Sequence, residues 1–275
     1  MQPVFLLDRF VRLHTELMGL LRGLSVEAWS RPTACALWSV KDIVAHLLDS
    51  SIRRLSFGRD ALPSTPDTPI SNYAELVRYL NRLNAEWVTA CRRLSPQVLT
   101  DLLDFTAAQV HAFFQSLDPH TPALFPVAWA GDDVSPNWFD IGREYTERWL
   151  HQQQIREAVG APGLTTREWL HPTLDVFVRA LPFTYRHVEA QLGRSVRLEV
   201  QGEAGGAWTL VREAEGWQLF NGSGRDAAAV VRLDQETAWK LFSRGLDQEA
   251  ARERVKIEGE SSLGEPMLGS LAIMA

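Results

Sequence analysis

Cysteine is scarce in this 275-residue chain, which has only Cys35 and Cys91. Two cysteines in so long a chain exclude a disulfide framework, and both read as small buried apolar residues. No apolar run approaches the roughly 20 residues needed to cross a membrane. Positive charge is also in short supply: 28 Lys and Arg against 34 Asp and Glu leave a net charge of −6, which argues against nucleic acid as the main partner. The N-terminal segment carries Asp8, Arg9, Arg12 and Glu16 inside its apolar pattern, so it is not a secretory signal and a cytoplasmic protein is expected. There is no internal repeat, nucleophile elbow, dinucleotide fingerprint or phosphate loop. What remains is a soluble globular composition, 45% hydrophobic and 23% charged, and enough length for two ordinary domains.

The first half reads as helices. Val4, Leu7, Phe10, Val11, Leu13, Leu17, Leu20 and Leu21 recur at helical spacing from Pro3 to about Leu24. Ser39 followed three residues later by Asp42 predicts a capping box and a second helix from Val40 to Phe57 or Arg59. A third helical pattern runs from Ser71 to about Leu94, and Ser95-Pro96 starts a fourth that reaches about Leu117. Asp118 to Val134 is a long loop. Ser135-Pro136 repeats the start signal, and Gly160 with Pro162 behind it stops a fifth helix.

Beyond Pro162 the pattern changes. A helical region from Thr166 to Leu192, interrupted by Pro172 and Pro182, gives way to strand-like segments at 195–201, 208–211, 217–220 and 229–233. A helix at 236–243, a strand at 254–257 and a closing helix from Ser262 to Met274 complete the expectation. The fold class is therefore α+β in two domains: an up-down helical bundle over residues 1–162 and a small sheet domain over residues 163–275.

Glu147 and His151 are four residues apart on the fifth helix and share one face. His46 lies in the second turn of the second helix. If those helices face each other, two imidazoles and a carboxylate give three ligands and leave an open position on zinc, as in a catalytic site. The other reading of Glu147–His151 is a solvated helix face, and of His46 a satisfied core histidine. Asp140, Glu144, Glu147 and His151 form one polar stripe on a helix that also carries Trp138, Phe139, Ile141, Tyr145, Trp149 and Leu150, so an inside–outside division does not account for it. Asp42 and Asp49 flank His46 at helical spacing, and either is placed to orient its second nitrogen; Glu144 is a further outer carboxylate. The 10 tryptophans read as core and inter-domain packing, the other reading for Trp138 or Trp149 being a place in the lining of the metal pocket.

Trp29, Pro32-Thr33, Cys35 and the run Trp38 to Leu47, followed by Glu147-Arg148-Trp149-Leu150-His151-Gln152-Gln153-Gln154-Ile155-Arg156, resemble the DinB-like family in its mycothiol-dependent maleylpyruvate isomerase branch. The second half, from Leu198-Glu199-Val200 through Gly205-Gly206-Ala207-Trp208 to Leu271-Ala272-Ile273-Met274, is similar to the sterol-carrier-like domain of that branch. The resemblance implies a divalent metal, usually zinc, held by His46, Glu147 and His151, with nickel or iron acceptable to the same ligands. It also implies a low-molecular-weight thiol, mycothiol or bacillithiol, as cofactor and a small-molecule substrate, in an isomerase or S-transferase. An anionic substrate needs a cationic anchor; Arg244, in Phe242-Ser243-Arg244-Gly245, is the candidate, its other and stronger reading being a solvated surface arginine, and Arg225 after Asn221-Gly222-Ser223-Gly224 has no stronger claim. A lipid- or small-molecule-binding protein and a metal-dependent hydrolase are the alternatives.

Overall fold

The computed structural model describes residues 1–63, 65–223 and 226–273. Arg225, Gly224 and Met274, which the sequence reading touches, lie outside the described residues. The chain divides into two compact units, neither continuous in sequence: Phe5–Leu124 with Pro136–Gly163, and Met1–Val4 with Phe125–Ser135 and the chain from Leu164 onward.

The first unit is the helical bundle. It comprises α1 (Leu7–Arg22), α2 (Val40–Arg53), α3 (Tyr73–Cys91), α4 (Pro96–Ser116) and α5 (Asn137–Val159). The start of α2 is fixed as its sequence predicts: the Ser39 side chain accepts from the Asp42 backbone N–H, and the Asp42 carboxylate accepts from the Ser39 backbone. Ser95 caps α4 ahead of Pro96 at the first helical position. Gly160 ends α5 in the left-handed conformation, where a side chain would be strained. The last turn of the second helix, Arg54–Arg59, widens to a π-helix. The core gathers Leu17 and Leu21 of α1, Ile43, Leu47 and Leu48 of α2, Leu99 of α4 and Ile155 of α5.

The second unit carries α6 (Arg167–Phe177) and α7 (Leu181–Thr184), then β1 (Ser195–Gln201), β2 (Gly206–Glu213), β3 (Gly216–Asn221) and β4 (Ala229–Asp234). It continues with α8 (Gln235–Phe242), α9 (Gln248–Arg252), β5 (Lys256–Gly259) and α10 (Ser261–Gly264). The sheet order is β3-β2-β1-β4-β5; β1 and β4 are parallel and the other pairs antiparallel. Period-two alternation sends Val196, Leu198 and Val200 into the core. Arg197 and Glu199 face the other way, where Glu199 joins Arg232, which in turn pairs with Glu258. The expected closing helix is shorter than the sequence suggests: α10 gives way at once to a 3-10 turn over Glu265–Gly269, because Pro266 follows directly and has no N–H to continue the ladder. No helix among the described residues is long and apolar enough to cross a membrane.

A buried ionic clamp joins α2 to α5. Arg54 donates Nη1 to Asp140 Oδ2 at 2.6 Å, and Nη2 to Asp140 Oδ1 at 2.7 Å and Glu144 Oε1 at 2.9 Å. The three side chains are only 5%, 4% and 8% exposed. Burial alone would raise both carboxyls, but the Arg143 and Arg54 guanidiniums hold them below their ordinary values. The stabilisation they contribute is therefore complete above the ordinary carboxylate range near pH 4, and it is lost as the pH falls through the lower native values.

Two outcomes follow for stability. A Cβ on Gly205 would lie 2.0 Å from the Val200 carbonyl oxygen, so backbone would have to move; Gly205→Ala is expected to lower the unfolding free energy by about 2–3 kcal/mol, read from urea denaturation. Arg54→Met removes the buried partner of two buried carboxylates and leaves them only the more exposed Arg143, and should cost about 3 kcal/mol near neutral pH. That deficit should shrink as the pH falls toward about 4, because protonation then relieves the unpaired charges. A loss below about 1 kcal/mol near neutrality would show that the clamp does not hold the two helices.

Candidate metal centre

The register set by the clamp brings a second group together one turn further along. His46 on α2 and Glu147 and His151 on α5 present one ligand atom each, all within 4.8 Å of one another, a group able to hold a metal ion. His46 Nε2 lies 3.0 Å and His151 Nε2 3.1 Å from the same oxygen, Glu147 Oε1. The two imidazoles stand edge to face with centroids 4.8 Å apart. Both histidines are buried, whereas the Glu147 side chain keeps 31% of its exposure and opens the group to a ligand from outside. Neighbouring helices hold the positions: Trp87 Nε1 on α3 donates to the Ala45 carbonyl at 2.8 Å, beside His46.

The donor chemistry fits a cation. His151 Nδ1 must donate to Gln154 Oε1, an acceptor 2.8 Å away. A neutral His151 then turns its Nε2 lone pair toward a carboxylate oxygen, and two acceptors face each other across 3.1 Å. A proton or a metal ion resolves that opposition. Without a metal, burial alone would lower His151, but the Glu147 charge and the hydrogen bonds with Glu147 and Gln154 raise it. Burial would raise Glu147, but the charge and hydrogen bond of His151, followed by those of His46, hold it well below the carboxylate range. His46 is lowered by burial against the opposing pull of Glu147. One carboxylate and two imidazoles suit zinc, nickel or iron and leave coordination positions open.

The expected outer carboxylates do other work. Asp42 Oδ2 accepts from the Ser39 backbone at 2.9 Å and from its hydroxyl at 2.7 Å, so it serves the helix cap and not His46. Asp49 pairs with Arg53 at 3.1 Å. His46 Nδ1 is buried with no hydrogen-bond partner among the described residues. Glu144 sits in the Arg54 clamp and also accepts from Ser50 Oγ at 3.3 Å. Arg244 lies in the other unit, exposed, on left-handed backbone just after α8.

Three participants were missed in the sequence. The ring over the imidazoles is that of Trp38, with centroids 4.9 Å from His46 and 6.2 Å from His151; Trp149 is fully buried and Trp138 stacks on Phe139. Gln154, which fixes the His151 tautomer, stands three residues on and could have been found by that spacing. Arg54 carried no local signal. Cys35 is half-buried near the group; burial and the Glu147 charge push its thiol up to about 11. Cys91 is buried.

The model of the mycothiol maleylpyruvate isomerase N-terminal domain family matches residues 10–156, a span that holds all three candidate ligands. A solved structure of mycothiol-dependent maleylpyruvate isomerase matches with a TM-score of 0.50 at 15% identity, covering 92% of this chain and 94% of that one. A mutant of that enzyme gives a TM-score of 0.51 at 13% identity with the same coverage. At such identity the likeness is one of fold. No curated protein sequence matches. Since the family model spans more than half of the sequence, this chain belongs to the mycothiol maleylpyruvate isomerase N-terminal domain family.

Proposed function

We propose that this protein is a metal-dependent enzyme that uses a low-molecular-weight thiol, an isomerase or S-transferase acting on an electrophilic small molecule. The observation that carries the reading is the convergence of His46, Glu147 and His151 inside the segment matched by the family model. In this reading residues 1–162 form the metal-binding domain and residues 163–275 a second, α+β domain. A divalent metal, most simply zinc, would stabilise a thiolate near neutral pH and polarise a carbonyl of an unsaturated substrate.

The chain's own residues have separate tasks. His46 and His151 offer Nε2, and Glu147 supplies the one anionic donor. Gln154 holds His151 in the tautomer whose Nε2 lone pair is free. The Trp38 ring packs against both imidazole rings. The Cys35 thiol, raised by burial and by Glu147, stays protonated and leaves nucleophilic work to an external thiol.

Zinc titration against a chromophoric chelator is expected to give one equivalent per chain. His46→Ala or His151→Ala should weaken zinc by about a hundredfold or more, beyond the usual effect of outer-sphere changes. Cobalt substitution gives a second readout, since mycothiol added to the cobalt protein should produce a thiolate charge-transfer band. A folded wild-type protein that takes up no divalent metal would overturn the proposal. Thiol-independent cleavage of an amide or ester would replace it with a hydrolase.

A further inference from the structure

Each candidate imidazole has a polar residue four positions before it and another three positions after it, the two spacings that share a helix face. On α2 these are Asp42 and Asp49 about His46; on α5 they are Glu147 and Gln154 about His151. Three are acids and one is an amide. Glu147 is a candidate ligand, Asp42 is spent in the helix cap, and Asp49 Oδ2 lies 3.1 Å from Arg53 Nε. Gln154 is the member of the four that bonds an imidazole from behind, with Oε1 2.8 Å from His151 Nδ1. On α2 the equivalent atom, His46 Nδ1, has no hydrogen-bond partner among the described residues, although Asp49 stands three positions on.

The consequence is one of charge. A carboxylate behind a ligating histidine orients the ring and also makes it a stronger donor. Here the acids along the seam are spent elsewhere: Asp49 on Arg53, and Asp140 and Glu144 on Arg54. Among the described residues no carboxylate is bonded to the Nδ1 of either imidazole. The group therefore carries one negative charge, that of Glu147. Two neutral imidazoles and one carboxylate leave a divalent cation with one net positive charge, which a single monoanion neutralises. A carboxylate in place of the Gln154 amide would cancel that charge and repel the monoanion.

We infer that Gln154 is a positioning residue that orients His151 without adding charge, and that this neutrality makes the centre favour an anionic over a neutral ligand in its open position. The inference rests on the metal-centre reading above. Orientation and charge separate on substitution. Gln154→Glu keeps the acceptor and adds a charge, whereas Gln154→Met keeps the length of the side chain and removes the acceptor.

Zinc affinity by chelator competition, and azide affinity from the visible spectrum of the cobalt-loaded full chain, test it. Gln154→Met is expected to weaken zinc by about 10- to 100-fold, with azide affinity at saturating cobalt within about threefold of wild type. Gln154→Glu is expected to hold zinc at least as tightly as wild type, because a charge-assisted hydrogen bond replaces a neutral one, and to bind azide about tenfold or more weakly. Neutral imidazole, titrated in the same way, should bind wild type and Gln154→Glu within about threefold of each other, which separates charge from access. Thermal unfolding followed by circular dichroism reports folding; should Gln154→Met not fold, Gln154→Asn, which withdraws the amide by one methylene, takes its place in the zinc titration. Unchanged zinc affinity in the variant lacking the acceptor overturns the positioning role. Unchanged azide affinity in Gln154→Glu, or an equal loss of imidazole, overturns the charge role. A wild type that takes up neither zinc nor cobalt removes the metal centre itself, whereas a metal-loaded wild type with indifferent Gln154 variants keeps the centre and loses only this inference.

Discussion

The candidate centre depends on one constraint, the register of α2 against α5. His46 comes from one helix and Glu147 and His151 from the other, and Glu147 Oε1 lies within hydrogen-bond reach of both imidazoles. A slip of one residue along either helix would turn a ligand by about 100° and move it about 1.5 Å. Apolar packing opposes such a slip, because a turn of about 100° would carry the buried face of α2, with Ile43, Leu47 and Leu48, out of the core. The Arg54 clamp is different: bidentate geometry to Asp140 and a further bond to Glu144 admit a single register. A buried ion pair is poor value for stability against an apolar replacement, but its geometry specifies one arrangement.

The same clamp explains why α5 has the composition of a surface helix yet is buried. Asp140, Glu144, Arg148, His151, Gln152, Gln153 and Arg156 are all buried along it. Each buried polar group must find a partner inside the bundle, or its desolvation would go uncompensated. Arg54 serves Asp140 and Glu144, Ser51 accepts from Arg148 at 3.1 Å, and Glu16 accepts from Arg156 at 3.2 Å. The polar stripe is therefore a row of connections from α5 to α1 and α2, and the His46–Glu147–His151 group is one stretch of it.

Much of this was legible in the sequence where a local rule governs the outcome. The capping box at Ser39 and Asp42, the Ser95-Pro96 start and the Gly160 stop each rest on chemistry within four residues, and each fixes a helix end as expected. The Glu147–His151 spacing gave the face, the position of His46 in the second turn of its helix made it the candidate third ligand, and the resemblance matched all three. What could not be read depends on distant pairing. Asp42 and Asp49 looked equally able to orient His46, because spacing shows which side chains share a face but not which partner wins; the cap took one and Arg53 the other. Trp38 lies in the loop before α2, where no periodicity indicates that its ring turns back over the imidazoles. The discontinuous units were likewise invisible: the stretch 125–135 reads only as loop, and its Val127 and Trp129 are buried with residues far later in the chain.

The fold persists at 13–15% identity to solved maleylpyruvate isomerases, and the division between local and distant determinants indicates why. Core positions such as Leu47 or Leu99 need only be apolar and of suitable volume, so they can drift together. Helix ends can be built from any of several capping residues. A ligand atom has no such latitude: moving a donor by one helical position removes it from the other two. Sequence divergence can then pass through the core and the caps while the fold stays the same.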